Sequence, residues 1–285
     1  MAKKILDDGV IKFYQEYRLS TYKIGKMYGT SAQAVYEYLK NRGINFRCKN
    51  DKSYKKYHLN ENYFEHINTE DKAYFLGLFF AEGNISREKS MAIGMCDKSI
   101  IEELRNRICI DIPIVKISPN DKNKLTKDFY QFHFVNKKIH LDLYNWGIRP
   151  NKSNLQFHIP KLQKELYPHF IRGFFDGDGT IHETRNRRSN QHGMKFGLCG
   201  NKLFLHDIRQ ILPIKTNNLY KYGKIYLLII SKFEYLEILY DWLYNNSTIY
   251  LDRKYYKWSQ LRMQPNIKSD LRKARNKGGD INGRR

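Results

Sequence analysis

The chain has 285 residues and carries 51 Lys and Arg against 29 Asp and Glu, a net charge of +22 with a pI near 9.7. Such an excess calls for a polyanionic partner, nucleic acid before all others, and no long apolar span or basic amphipathic helix argues for a membrane instead. The 22 Tyr and 16 Phe exclude disorder, while Cys48, Cys96, Cys109 and Cys199, with no C-x-x-C pair, exclude a disulfide framework and a structural zinc site.

Residues 8–43 read as three short helices. Val10, Ile11, Phe13, Tyr14 and Tyr17 give the first an apolar stripe. Ser20 is placed to cap the second, which runs from about 21 to 28 and stops at Gly29. Thr30-Ser-Ala-Gln33 has capping-box form, and Val35 with Leu39 supplies a core face before Gly43. Helix, short turn and helix resemble a helix-turn-helix unit, in which Ser31, Gln33 and Tyr36 would face a major groove. A plain three-helix bundle is the alternative. The expected division is a helix-turn-helix domain over 1–46 and a basic linker over 47–70, carrying Arg47, Lys49, Lys52, Lys55 and Lys56.

Two stretches then share one design. Tyr74-Phe-Leu-Gly-Leu-Phe-Phe-Ala-Glu-Gly-Asn84 is an apolar helix with small residues Gly77 and Ala81 on one face, Glu82 at its end and Gly83 as the stop. Phe170-Ile-Arg-Gly-Phe-Phe-Asp-Gly-Asp-Gly-Thr180 repeats this with Gly173, Gly177, Asp178 and Gly179. The offset is 96 both from Gly77 to Gly173 and from Glu82 to Asp178. A carboxylate is disfavoured at a helix C-terminus, so both acids ask for a cation. If the small faces pack together, Glu82 and Asp178 end side by side, and a hard divalent ion is the natural resolution.

These two stretches resemble the paired motifs of the LAGLIDADG homing endonucleases in their single-chain, two-repeat form. Arg172-Gly-Phe-Phe-Asp-Gly-Asp-Gly is a close match; the first copy departs by having Phe80 for the usual first Asp and Glu82 for the second.

The segments after each acid run in parallel. In the first repeat, strands at 85–86 and 91–96 precede a helix over 97–108, then strands at 112–118 and 129–135 precede a helix over 137–146. In the second, strands near 180–184 and 194–199, a helix over 201–212, a hairpin across 219–231 and a helix over 233–244 follow the same course. Ile93-Gly-Met-Cys96 matches Phe196-Gly-Leu-Cys199 at an offset of 103, and Tyr144-Asn-Trp146 matches Tyr240-Asp-Trp242 at 96. A longer first hairpin in repeat two, around 185–192, accounts for the difference. The expected fold class is α+β: two pseudo-symmetric αββαββα repeats, over 71–160 and 161–262, forming a saddle. Residues 263–285 are expected to be a disordered basic tail.

An open sheet face is left for DNA. Alternation along 129–135 turns Gln131 and His133 outward. Arg87, Lys89, Lys116, Lys122, Lys124 and Lys127 surround that face in repeat one, and Arg185, Arg187, Arg188, Lys195, Tyr220, Tyr222, Lys224 and Tyr226 do so in repeat two. Lys152, 70 residues after Glu82, and Lys254, 76 after Asp178, occupy by resemblance the place of the family's active-site basic residue, phosphate anchoring being the alternative.

The resemblance implies a metal-dependent endodeoxyribonuclease that makes a staggered double-strand cut across a minor groove of a long asymmetric target. Glu82 and Asp178 would hold Mg2+, with Mn2+ as a substitute, and Lys152 and Lys254 would offset developing charge. A monomer with one acid per repeat suffices for both strands. Two alternatives stay open: a maturase holding group I intron RNA, or a DNA-binding regulator without catalysis. No signal peptide is visible, so an intracellular setting is expected, in a bacterial or phage-infected cell or an organelle.

Overall fold

The computed structural model describes residues 6–17, 19–46, 57–86, 89–120, 125–152, 155–185, 192–215 and 219–264. The chain divides into two compact units, Met1–Lys56 and Tyr57–Arg285. Arg47, Lys49, Lys52, Lys55, Lys56, Arg87, Lys122, Lys124, Arg187, Arg188 and the tail from 265 onwards lie outside the described residues.

The first unit holds three helices, α1 (Gly9–Gln15), α2 (Thr21–Tyr28) and α3 (Ala32–Asn41), around Val10, Tyr14, Ile24, Tyr28, Val35 and Leu39. Ser20 Oγ accepts from the Lys23 N–H, and Gly29 ends α2 with φ 68°, a conformation glycine adopts without strain. The cap of α3 differs from expectation by one position. Ser31, not Thr30, is the N-cap, accepting from the Ala34 N–H, and Gln33 donates to Glu37 one turn on instead of closing a box.

The second unit is built on a central helix pair, α4 (Glu70–Glu82) and α7 (Tyr167–Asp178). From Ala73 to Phe80 every residue of α4 is buried, because the helix has neighbours all round. Between the pair come β1 (Asn84–Ile85), β2 (Ser90–Met95), α5 (Lys98–Ile108), β3 (Val115–Ile117), β4 (Phe129–Val135) and α6 (Lys137–Asn145). After α7 come β5 (Gly179–Arg185), β6 (His192–Gly200), α8 (Lys202–Ile211), β7 (Tyr220–Tyr222), β8 (Ile225–Ile230), α9 (Phe233–Tyr244) and α10 (Asp252–Met263). The two antiparallel four-stranded sheets have matching orders, β1-β2-β4-β3 and β5-β6-β8-β7. The duplication legible in the sequence is therefore a duplication of topology. Ile93 pairs with Phe132 and Phe196 with Ile230, the same place in each sheet.

Two elements depart from the sequence reading. The segment 57–70 is no linker: Tyr63, Phe64 and Ile67 are buried in the main core, and the Trp146 indole donates to Phe64 O at 2.7 Å. Helix α10 was not anticipated, although Lys254, Trp258 and Leu261 recur at helical spacing and are its buried residues. No helix among the described residues is long and apolar enough to cross a membrane.

Candidate active site and nucleic-acid interface

The close approach of α4 and α7 depends on residues without side chains. A methyl group on Gly77 would fall on the Phe170 carbonyl, and one on Gly173 on the Tyr74 carbonyl. One on Gly177 would meet Ala81 Cβ and lie 3.1 Å from Glu82 Cγ. Gly83 and Gly179 do stop their helices, but in extended conformation (φ −73° and −90°) instead of a left-handed cap. A side chain there would collide with Phe79 or Phe175 one turn back, so glycine lets the chain pass directly from helix into β1 or β5.

The consequence is that Glu82 and Asp178, the last residues of the two helices, are neighbours. Burial and then the Asp178 charge raise the Glu82 carboxyl above its ordinary value, against the pull of Lys152, Lys254 and Arg253. Burial raises Asp178 as well, against Lys152 and Lys254. Two acids held half-buried at the negative ends of two helices are short of positive charge.

Both predicted lysines are present, with an unforeseen geometry. Lys152 Nζ donates to the carbonyls of Phe79 (2.8 Å), Ala81 (2.9 Å) and Gly83 (2.6 Å). Lys254 Nζ donates to those of Phe175 (2.5 Å), Asp176 (2.9 Å), Gly177 (3.5 Å) and Gly179 (2.6 Å). Each ammonium caps the C-terminus of an acid-tipped helix and is not turned outward to anchor a phosphate. Burial lowers both lysines to about 8, with the nearby carboxylates opposing.

The open sheet faces follow from strand register, since directly paired residues share a face. On β4 Phe132 and Phe134 are buried while Gln131 is half-buried and His133 exposed, on the face shared by Ala92 and Gly94. Lys116, however, pairs with Tyr130, on the opposite face from Gln131, and is engaged by Asp128 at 2.8 Å. Its expected place beside Gln131 was wrong because β3 enters the sheet at its edge with that register. Tyr226 likewise falls on the helix side, paired with Gly200 and Lys221. In repeat two the open face carries exposed Lys195, Tyr220 and Tyr222, and with them Thr180 and His182, which the alternation Thr-Ile-His-Glu-Thr could have revealed. Lys89 and Lys224 are exposed in hairpin turns, Lys127 is exposed, and Arg185 ends β5. In the first unit Ser31 is committed to capping, Gln33 is exposed, and Tyr36 stacks on Phe46 with centroids 4.2 Å apart.

No protein-family model matches the chain. A stretch of 115 residues, 40% of this chain, is 25% identical to the DNA-directed RNA polymerase subunit Rpo1C of Methanocaldococcus jannaschii and spans 13% of that subunit. Among solved structures, meganuclease I-SmaMI bound to uncleavable DNA with a TTGT central four is similar over 77% of this chain and 99% of its own, at 13% identity and a TM-score of 0.51. The LAGLIDADG meganuclease I-AabMI bound to uncleaved DNA is similar over 71% and 91%, at 14% identity and 0.49. I-SmaMI bound to uncleaved DNA in the presence of calcium ions is similar over 76% and 99%, at 12% identity and 0.48. What is shared at such identities is the fold.

Proposed function

Because this chain has the two-repeat fold of the LAGLIDADG meganucleases, we propose that it is a site-specific endonuclease that hydrolyses phosphodiester bonds in double-stranded DNA with divalent cations. The observation that carries the proposal is the meeting of Glu82 and Asp178 at one end of the helix pair, each beside a lysine that caps the same helix end.

The donor set fits a hard divalent ion such as Mg2+ or Mn2+. Two neighbouring carboxylates raised by burial, Glu82 also by the Asp178 charge, gain from a cation between them. Among the described residues no cluster of three or more His, Cys, Asp or Glu side chains is placed to hold a metal. Further oxygen ligands would therefore come from water and from the phosphates to be cut. When bound, a divalent cation polarises the phosphate and acidifies a coordinated water.

The protein supplies the rest. Glu82 and Asp178, coming from opposite repeats, would hold the divalent cations, one acid serving each strand, so that a monomer makes both cuts across a minor groove. Lys152 and Lys254 hold the helix ends rigid and place positive charge where negative charge develops on the phosphate. The open sheet faces, with Gln131 and His133 in one half and His182, Lys195, Tyr220 and Tyr222 in the other, contact base edges in successive major grooves of a long asymmetric site. Lys89, Arg185 and Lys224 contact the backbone. Residues 1–46 act as a helix-turn-helix arm, in which Gln33 and Tyr36 are offered to DNA.

A cleavage screen on randomised DNA with Mg2+ or Mn2+, followed by sequencing of the ends, tests the proposal. Staggered double-strand cuts at one extended site are expected. Tight DNA binding with no cutting in either metal would reduce the protein to a DNA-binding regulator.

A further inference from the structure

The two lysine-bearing segments are held in different ways. The segment joining α9 to α10, which delivers Lys254, is tied to the central helices by polar groups, of which Tyr74, Arg172 and Asp176 are buried and Glu70 half-buried. Arg172, fully buried in α7, donates from Nε to Ile249 O (2.8 Å), from Nη1 to Leu243 O (2.6 Å) and from Nη2 to Glu70 Oε1 (2.6 Å). Glu70, in the first turn of α4, accepts from the Thr248 N–H (2.7 Å), the Thr248 hydroxyl (2.9 Å) and the Ile249 N–H (3.2 Å). Asp176 Oδ2 accepts from the Tyr74 hydroxyl and from the Leu251 N–H, both at 2.8 Å. Three residues beyond Leu251 stands Lys254.

The offset of 96 identifies the counterparts of these four residues in the other repeat. Glu70 corresponds to Leu166, Tyr74 to Phe170, Arg172 to Leu76 and Asp176 to Phe80. All four counterparts are apolar and buried, and Phe80 meets Phe170 edge to face at 5.3 Å where Asp176 meets Tyr74 through a hydrogen bond. Among the described residues no side chain of α4 or α7 is hydrogen-bonded to the backbone of 143–152, the segment carrying Lys152. Helix packing alone is thus satisfied by apolar residues at these positions. Buried ionic groups are costly beside apolar ones of like volume, and Asp176 Oδ1 has no hydrogen-bond partner among the described residues. Their presence on one side only is explained by what they hold.

We propose that Glu70, Tyr74, Arg172 and Asp176 form a one-sided latch that positions Lys254, making the two cleavage centres unequal. The centre of Asp178 and Lys254 depends on the latch, and the centre of Glu82 and Lys152 does not. The positioning stands on the contacts above; its consequence for cutting rests on the nuclease function just proposed. These four are positioning residues and touch no substrate.

The test uses the full chain and two variants. Tyr74→Phe removes one hydroxyl and copies the counterpart Phe170, so it keeps the fold; Asp176→Leu removes the acceptor for Leu251. Amide hydrogen exchange is followed over 248–256 and over 143–152, and nicking is followed on a target duplex labelled on both strands. In Asp176→Leu, exchange at Leu251 should rise at least about tenfold with 143–152 unchanged, and one strand should be cut at least about tenfold more slowly relative to the other. Tyr74→Phe should move both readouts the same way by about threefold. Equal slowing of both strands, or protection at Leu251 unaltered in Asp176→Leu, would overturn the latch. Selective loss of protection in a protein whose wild type cuts neither strand would support the latch while refuting the nuclease.

Discussion

Lys152 and Lys254 place their ammonium groups at equivalent points on two helices: Nζ of Lys152 lies 2.6 Å from Gly83 O, and Nζ of Lys254 lies 2.6 Å from Gly179 O. Each cation satisfies carbonyls that a helix C-terminus leaves open and opposes the negative end of its dipole. Replacing either by Met should therefore cost stability before it costs chemistry, about 2–4 kcal/mol in metal-free urea unfolding. Arg at either place should fail to restore it, because a planar guanidinium cannot converge on three carbonyls as an ammonium does. A stability unchanged by Lys254→Met would show that the cap contributes nothing.

Glu82→Gln and Asp178→Asn should behave in the opposite sense. Each removes a carboxylate from a repelling pair, so in metal-free buffer stability should hold or rise by about 1 kcal/mol. Cutting should be lost while DNA affinity changes by less than about threefold. Mg2+ should raise the melting temperature of the wild type and not of the double variant. Binding lost in step with cutting would remove the catalytic assignment.

Gly77→Ala and Gly173→Ala test the helix crossing. The added methyl falls on backbone oxygen in both cases, where no side chain can rotate away. Destabilisation beyond about 3 kcal/mol is expected in denaturant titrations, at or above the upper range for overpacking.

Asp176 gives a pH signature. Burial raises its carboxyl from 3.8 to about 6, against the pull of Lys254, the Tyr74 hydroxyl, the Leu251 N–H and Arg172. Between those values the folded state keeps a proton that the unfolded chain has released. Its contribution is thus complete below pH 3.8 and is lost as pH rises through about 6. Relative to Asp176→Asn, the wild type should lose roughly 3 kcal/mol of stability at most from pH 4 to pH 6.5, measured by unfolding midpoints. A difference independent of pH would mean that Asp176 is ionised throughout.

Lys195 and Lys116 separate the two faces of the sheets. Lys195 is exposed on the open face of its sheet, whereas Lys116 lies on the opposite face from Gln131 and pairs with Asp128. Lys195→Ala should lower the salt slope of DNA binding by about one, and Lys116→Ala should leave it unchanged. The reverse result would place DNA on the other side of the sheets.

Much of this was written locally in the chain. Helices α4 and α7 announce themselves through continuous apolar residues, small positions four apart, a terminal acid and a glycine, all within eleven residues. The strands, the helices that cover them and the duplication follow from period-two and period-3.6 patterning that survives in both copies. The linker reading fails over 57–70 because the basic run of Arg47, Lys49, Lys52, Lys55 and Lys56 just before it sets the composition of the whole stretch, and composition cannot tell that Tyr63, Phe64 and Ile67 are covered. Helix α10 was overlooked because only three apolar or amphipathic contacts mark its inner face.

What the sequence settled by itself was the pair of acid-tipped helices and the repeated order of strands, since both depend on neighbours a few residues away. That the lysines point inward to carbonyls, that Lys116 turns from the open face, and that Arg172 and Asp176 grip the segment before α10 were decided only by the tertiary structure. Those contacts of the two lysines, Arg172 and Asp176 join residues some 70 to 80 positions apart, while Lys116 is set by a strand pairing only fourteen positions away; each depends on how a helix is rotated or a strand registered against a partner that no local pattern specifies.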